Sequence, residues 1–363
     1  MKIGIDAKWF FSGPPSGRVV VQNLLHELLH LQNPEHQFYI FLNKGDKQKL
    51  FPHVADNIKL VYVPRVNNLI SNVFILPYYC KKLKVETILF QNFGTLFKLK
   101  KSVVYIHDIL FLDYPEYYSL KERLYLGPIK FLAQKADTLV TISDTEKQRI
   151  IKHRMGKESN VHFVHHGVSR DFMPMEKMNE GDILRVRASY DLPDRFILFL
   201  GRLNIRKNIK NLVLAMKEVD CTLVIAGERN HKSEDLDKAI EDSNAHEKVV
   251  FTGHIPDEHL PIIYSLATIF CFPSYAEGFG LPPLEAMASG IAVVSSDRTS
   301  LKEVCGDAAL YTNPDQPSDI AEKLNMLLNS PSKRKELVKR GLARAKQFNW
   351  KKSALELMQV IEK

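Results

Sequence analysis

"PSYAEGFGLPPLEAMASG", residues 273–290, sets Glu277 and Glu285 eight positions apart around two glycines and two prolines. An apolar run, "ATIFCF", precedes it and reads as a strand covered on both faces. Pro282 and Pro283 suit the first turn of a helix, where a missing N–H costs nothing. Gly290 suits the position just past that helix. The stretch is therefore strand, glycine turn and helix N-terminus. Unpaired backbone N–H groups at such an end attract anions, phosphate above all, and glycines permit close approach and positive φ. Glu277 falls at the strand's carboxyl end and Glu285 about one turn into the helix. A phosphate held between them leaves each carboxylate able to accept hydroxyl hydrogen bonds, one on either side. Hydroxyls flanking a diphosphate describe a nucleotide sugar, with ribose at one end and hexose at the other. The plainer alternative is a helix start with Glu285 favouring the dipole and Glu277 exposed on a loop.

A second stretch repeats the pattern. "FLGRLNIRKNIKNL", residues 199–212, runs from a strand through Gly201 to a helix and carries Arg202 and Lys207. Two cations at a strand's carboxyl end can neutralise a departing diphosphate without a metal ion. Arg206 and Lys210 stand close by, so ordinary surface charge is the competing reading.

Both stretches sit in a regular alternation. "KIGID", "FYIFLN", "IKLVYVP", "TILFQN", "SVVYIHD", "TLVTIS" and "VHFVHHG" read as strands, with helical stretches such as "GRVVVQNLLHELLHL" between several of them. Val20, Leu24, Leu25, Leu28 and Leu31 form a stripe of helical period there, with Ser16 and Gly17 as the start signal. The pattern breaks at about residues 170–192, a polar and irregular stretch read as linker. It then restarts with "FILFLG", "CTLVIAG", "VVFTG", "IFCFPS", "AVVSSD" and "ALYTN". Strands alternating with helices give parallel sheets covered on both faces. The expected fold class is α/β, with two doubly wound domains over residues 1–175 and 185–347. The final stretch, 348–363, is read as a helix that crosses back to the first domain. In such sheets ligands bind outside the carboxyl ends of the strands.

Composition narrows the class. A chain of 363 residues, 45% hydrophobic and 25% charged, is long for one core and typical of globular proteins. No apolar run approaches the length of a membrane span, and "MKIGIDA" opens as a strand rather than as a secretory signal. Cys80, Cys221, Cys271 and Cys305 are scattered singly and read as buried reduced thiols of a cytoplasmic protein. Residues 1–171 hold 24 Lys and Arg against 15 Asp and Glu, whereas residues 172–363 hold 26 against 27. The basic excess thus belongs to the first half and suits an anionic partner. "NNLISNVFILPYYCKKLK", residues 67–84, mixes apolar and basic residues. It is a candidate to rest on anionic lipid at the inner face of the membrane, and otherwise a crossover helix packed on the sheet.

The Glu277/Glu285 pair in "EGFGLPPLEAMASG", with "GRLNIRKN" upstream, resembles glycosyltransferase family 4, the retaining group 1 enzymes of GT-B fold. The likeness extends to "TLVTISDTEKQRI", "VHHGVSRDF", "VVFTGHIPDEHL" and "AVVSSDRTSLKEVCGDAALYTNP". It implies two facing Rossmann-like domains with a cleft between them. It also implies a hexose transferred with retention from a GDP- or UDP-sugar to a glycan or lipid-linked acceptor, in cell-surface polysaccharide biosynthesis. No cofactor, metal or nucleic acid is implied. By that resemblance Arg202 and Lys207 bind the donor diphosphate and Glu285 the ribose hydroxyls. Glu277 and the amides around Gly278, Phe279, Gly280 and Leu281 would hold the transferred sugar and distal phosphate. Gly17 in "GPPSGRVV" resembles the family's first glycine loop, although Gly13 and Gly17 are not adjacent as is usual there. His107 and Asp108 match a His-Asp pair near the reaction centre, and "LDYPEYYS" resembles mannosyltransferases of bacterial surface polysaccharides. The expected reaction is a same-face displacement in which the donor's own phosphate oxygen takes the acceptor proton.

Other signals are weaker. His162, His165 and His166 lack a carboxylate or cysteine partner at metal-site spacing. No G-x-G-x-x-G follows the first strand and no Walker pattern occurs. Two alternatives remain open at this stage: a nucleotide-sugar epimerase or hydrolase of the same fold, and a basic protein that binds nucleic acid.

Overall fold

The computed structural model describes residues 1–31, 35–52, 55–227, 234–243 and 245–363, with the backbone alone at 234 and 235. The chain divides into two units, Met1–Gly167 with Trp350–Lys363, and Val168–Asn349.

The first unit is built on seven strands: β1 (Lys2–Asp6), β2 (Gln37–Asn43), β3 (Ile58–Val63), β4 (Thr87–Gln91), β5 (Lys101–Tyr105), β6 (Thr138–Thr141) and β7 (Val161–Phe163). They pair in the order β3-β2-β1-β4-β5-β6-β7, every pair parallel. Every residue of β4 is buried, which explains why its middle, Ile88–Phe90, reads as an apolar run rather than an alternating one. The helix Pro15–His30 buries Val20, Val21, Leu24, Leu25, Leu28 and Leu29 along one stripe. It starts two residues before Gly17, because the fixed φ of proline suits a first helical turn. Gly17 therefore lies inside the helix.

The last helix, Trp350–Glu362, belongs to this first unit. Glu362 meets His36 at 2.7 Å, and the Lys101 amine donates to the carbonyls of Val360 and Ile361 at 3.1 and 2.8 Å. The Ser353 hydroxyl donates to the His165 carbonyl at 2.6 Å.

The second unit holds six strands: β8 (Phe196–Leu200), β9 (Thr222–Ala226), β10 (Val249–Gly253), β11 (Ile269–Phe272), β12 (Ala292–Ser296) and β13 (Ala309–Thr312). They run parallel in the order β10-β9-β8-β11-β12-β13. The stretch read as irregular linker contains a helix, Glu180–Ser189, capped by the Asn179 side chain. Val186 is its one buried residue, so it carries no apolar stripe for a periodicity reading to find. Its end is held where the Tyr190 hydroxyl meets His259 at 2.9 Å.

The strand orders locate the sites. In each sheet the chain winds outward in both directions from a central pair, β1/β4 in the first unit and β8/β11 in the second. Connections leave such a pair on opposite faces and open a crevice beyond its carboxyl ends.

Candidate active site

In the second unit both motifs emerge from the central pair. β8 leads into Gly201 and Arg202, and β11 leads into the 273–281 turn. Hydrogen bonds stitch the two loops together. The Tyr275 N–H donates to the Arg206 carbonyl at 2.9 Å. Asn208, in the left-handed region at φ 56, donates its side-chain amide to the carbonyls of Pro273 and Pro314 at 3.0 and 2.6 Å. Asn tolerates that conformation better than most residues. It lets the short helical turn Ile205–Lys207 end abruptly and the helix Ile209–Ala215 begin at once.

Lys207 and Glu277 are buried side by side. The Lys207 amine lies 2.7 Å from Glu277 Oε1 and 4.5 Å from the centre of the Phe272 ring. The Arg206 guanidinium lies 2.9 Å from Glu277 Oε2 and also donates to the Ala276 carbonyl. Burial alone would raise the Glu277 carboxyl, but Arg206 and Lys207 together hold it at about 2. Glu277 is therefore a fixed carboxylate that accepts hydrogen bonds. Arg202 is exposed, near enough for its charge to act on Lys207.

The turn beyond Glu277 is held from the loop after β12. The Glu277 N–H donates to the Thr299 hydroxyl at 2.9 Å. The Ser300 hydroxyl lies 2.8 Å from the Glu277 carbonyl and 2.7 Å from the Phe279 carbonyl. Gly280 follows at φ 120, and a Cβ there would meet Leu301 Cδ2 at 2.8 Å, so the position requires glycine. It precedes the helix Leu281–Ala288, which has prolines in its first turn and no side-chain cap. Pro282 and Pro283 carry no N–H, so the backbone donors left at that end are those of Gly280 and Leu281.

Glu285 stands on the second turn of this helix. The Tyr264 hydroxyl donates to its Oε2 at 2.8 Å. Burial pushes the Glu285 carboxyl up to about 7, Tyr264 opposing and Asp257 adding to the rise. The two glutamates of one turn thus stand far apart in acidity: one is locked as a carboxylate, and the other changes charge near neutral pH.

His107, Asp108 and Gly17 belong to the first unit. His107 follows β5 and is placed by two neighbours at the end of β4. Its Nε2 lies 2.9 Å from Gln91 Oε1, and its N–H donates to Asn92 Oδ1 at 3.0 Å. Burial pushes the imidazole down to about 4, so it is neutral at pH 7. Asp108 accepts from the Leu110 N–H at 3.3 Å, and the Ile109 N–H donates to the fully buried Glu146 at 3.1 Å. Glu146 pairs with Arg149, which in turn binds Asp113 of "LDYPEYYS" at 2.8 Å. That motif thereby anchors the loop that carries His107.

Trp9, just past β1, packs against His107 with ring centres 5.2 Å apart. A Cβ at Gly13 or Gly17 would lie 2.7 or 2.8 Å from its indole. Both glycines thus make room for Trp9, which is why they need not be adjacent. Lys8, the preceding residue, is buried, 2.5 Å from Asp6 Oδ1 and 2.8 Å from Asn72 Oδ1.

Sequence reasoning put Lys207, Glu277, Gly278, Phe279, Gly280, Leu281 and Glu285 on one turn and its neighbour, and the structure assembles them there. It missed Arg206, which stands beside Lys207 and reads as surface charge. It also missed Tyr264, hidden in an apolar helix, and Thr299, Ser300 and Trp9, whose partners lie far away in sequence. His166 packs against Trp350 with ring centres 5.5 Å apart. Among the described residues no group of three or more His, Cys, Asp or Glu gathers as metal ligands.

Residues 183–344 match the family described as "Glycosyl transferases group 1". The chain is 32% identical over 269 residues to "O-antigen chain mannosyltransferase B" of Escherichia coli, covering 71% of this chain and 69% of that one. It is 31% identical over 273 residues to "Serotype-specific mannosyltransferase WbdA" of the same organism. There the match covers 70% of this chain and spans about a third of the relative's length, 32%. Among solved structures, sucrose-phosphate synthase of Thermosynechococcus elongatus superposes with a TM-score of 0.76 at 21% identity, covering 100% of this chain and 98% of that one. Sheet order, the Glu277 turn and these likenesses agree: the chain belongs to the group 1 glycosyl transferases and has their GT-B fold of two Rossmann-like domains.

Proposed function

We propose that this glycosyltransferase moves a hexose, mannose in the first instance, from a nucleoside-diphosphate sugar to a hydroxyl of a glycan or lipid-linked acceptor. Its place would be in cell-surface polysaccharide assembly, on the cytoplasmic side of an anionic membrane. The observation that carries the reading is the trio Lys207, Glu277 and Arg206 at the carboxyl ends of two adjacent central strands. The preference for mannose is supported by the names of the two relatives.

The residues divide the work. The diphosphate would lie at the uncapped start of the helix Leu281–Ala288, held by the N–H groups of the Gly278–Leu281 turn, since Pro282 and Pro283 donate none. Lys207 and Arg202 would carry the charge that develops as the bond from the sugar's C1 to the phosphate oxygen breaks. No metal ion is invoked in that role. Glu277, kept ionised by its two cations, would accept hydroxyls of the transferred sugar, and Glu285 those of the ribose. The acceptor oxygen would bond to C1 on the face the diphosphate leaves, and its proton would pass to the departing phosphate oxygen, giving retention. His107, neutral at pH 7, and Asp108 would stand beside the acceptor, with Gly17 in the first turn of the helix Pro15–His30.

The test is incubation with GDP-mannose and a panel of UDP-sugars, with and without a chelator, followed by NMR of the product. The reading expects transfer from a GDP- or UDP-sugar, undiminished by chelation, to a product with the donor's anomeric configuration. An inverted product, or release of free sugar with no transfer to any glycan or lipid-linked acceptor, would contradict it.

A further inference from the structure

The 67–84 segment packs on the sheet with one face and leaves the other uncovered. It runs as helix Asn68–Ile70, a π-helical stretch Ser71–Ile75 and helix Leu76–Leu83. Val73, Leu76 and Cys80 are buried against the first unit's core, whereas Ile70, Phe74 and Tyr78 are 45, 56 and 61% exposed. Those three recur every fourth residue, so they form one stripe, and the next positions along it are Lys81 and Lys82, both exposed. Leu96 and Phe97 extend the stripe sideways: the rings of Phe74 and Phe97 lie 6.0 Å apart, and the Lys81 amine stands 5.7 Å over Phe97.

A second element continues the surface. The helix Leu120–Leu126 buries no residue at all, and Leu120 and Leu124 are 65 and 69% exposed one turn apart. Tyr125 ties it to the first element, since its ring lies 5.3 Å from Phe93 and its hydroxyl meets the Asn68 backbone. Among the described residues, ten of the seventeen exposed large hydrophobic side chains fall between Val66 and Phe131. So dense a cluster is more than the scattering normal for a soluble surface.

Charge decides the occupant. Residues 66–135 carry ten Lys and Arg against five Asp and Glu. Glu86 pairs with Lys100, and Asp113 with Arg149 and His153. Lys81, Lys82, Lys98, Lys121, Arg123 and Lys130 are all exposed on the segments that carry these apolar side chains. Apolar side chains ringed by long flexible amines match a bilayer, whose acyl boundary takes the first and whose anionic headgroups take the second.

We propose that the first unit docks on an anionic lipid bilayer through this face, with Phe74, Tyr78, Phe97, Leu120 and Leu124 entering the headgroup boundary and the surrounding lysines at its surface. The inference rests on the reading that the acceptor is met at a membrane, and it names the surface that meets it.

The test is flotation of the full chain with vesicles of phosphatidylcholine alone or mixed with phosphatidylglycerol. The chain is expected to float with the mixed vesicles, less so at high salt, and hardly at all with phosphatidylcholine. Phe74→Ser with Tyr78→Ser and Leu124→Ser should weaken flotation at least about tenfold, as loss of inserted apolar area requires. Lys81→Glu with Lys82→Glu and Lys121→Glu should weaken it at least as much. Because these side chains are exposed, thermal melting of both variants should match the parent. Failure of the parent chain to float, or equal flotation of both melting-competent variants, would overturn the proposal. So would a solution dimer that the Phe74/Tyr78/Leu124 variant dissociates. Transfer to a water-soluble glycan, measured on the same variants, should be unchanged. Transfer without flotation sinks the docking surface alone, whereas flotation without transfer from any donor supports it and sinks the transferase reading.

Discussion

Lys207 Nζ lies 2.7 Å from Glu277 Oε1 across a sequence separation of 70 residues. Burying an ammonium and a carboxylate is costly unless each has its partner, and here Arg206 supplies a second cation to the same carboxylate. The three-group cluster holds excess positive charge at the carboxyl ends of β8 and β11. That excess suits an arriving diphosphate, which would complete the balance.

Lys207→Ala should therefore lower kcat by about 10²–10³-fold, on the order of 3 kcal/mol of barrier, as for loss of one preorganised charge donor. Arg206 still holds Glu277 in the variant, so thermal melting should change less than activity. Steady-state kinetics with the best donor checks this, and a kcat within twofold of the parent, a margin of about 0.4 kcal/mol, would remove Lys207 from the proposed role.

Glu285 predicts a pH dependence. Its carboxyl is raised by burial to about 7, so it is ionised above that pH and protonated below. Ribose hydroxyls donate best to the ionised form. Nucleotide affinity should fall as pH drops through about 7, and Glu285→Gln should bind weakly with little pH dependence. Stability runs the other way. A carboxyl raised in the folded chain holds its proton more tightly than when unfolded, so it costs stability increasingly from its ordinary range up to about pH 7 and steadily above. Glu285→Gln should therefore raise Tm more at pH 8 than at pH 5. Titration calorimetry and thermal melting across that range test both signs.

Gly280→Ala should destabilise the second unit by about 1–3 kcal/mol, because alanine at φ 120 is strained and its Cβ would strike Leu301. Gly278→Ala, at a position without a positive φ, should cost less. Comparison of the two melting curves separates a conformational requirement from general crowding of the turn.

The strands and the Glu277/Glu285 turn were legible because buried parallel strands are short apolar runs and proline and glycine punctuate them locally. Lys207 and Glu277 could be suspected of meeting because both follow strands in a doubly wound pattern. What joins them could not be read. Arg206 looks like any surface arginine until Tyr275 and Ala276 fold over it. Tyr264 occupies an apolar helix position, and its hydroxyl matters only because Glu285 lies across from it. The helix Glu180–Ser189 escaped detection because a helix that buries one residue has no stripe. Spacing reveals what a segment does to itself, and these contacts are between segments.

Asp113 makes a separate prediction for the first unit. Burial raises its carboxyl, but His153, Arg149 and Lys152 outweigh that and hold it at about 2. Such a group stabilises the fold above its ordinary range, and the contribution fades as pH falls through about 2. Asp113→Asn should cost about 1–2 kcal/mol near pH 7, after allowance for its partial exposure. The gap to the parent should narrow at acid pH. A denaturant series at several pH values checks the slope, and a constant gap would show that Asp113 acts by packing rather than by charge.

The central claim is that the loops after β8 and β11 together grip a nucleoside diphosphate. Calorimetric titration of GDP and UDP into the parent chain and into Lys207→Ala and Glu285→Gln tests it most directly. The account predicts saturable binding of one nucleotide by the parent chain, weakened about tenfold or more in each variant. Equal binding by the parent and both variants, or no binding of either nucleotide by a chain that melts cooperatively, would contradict it.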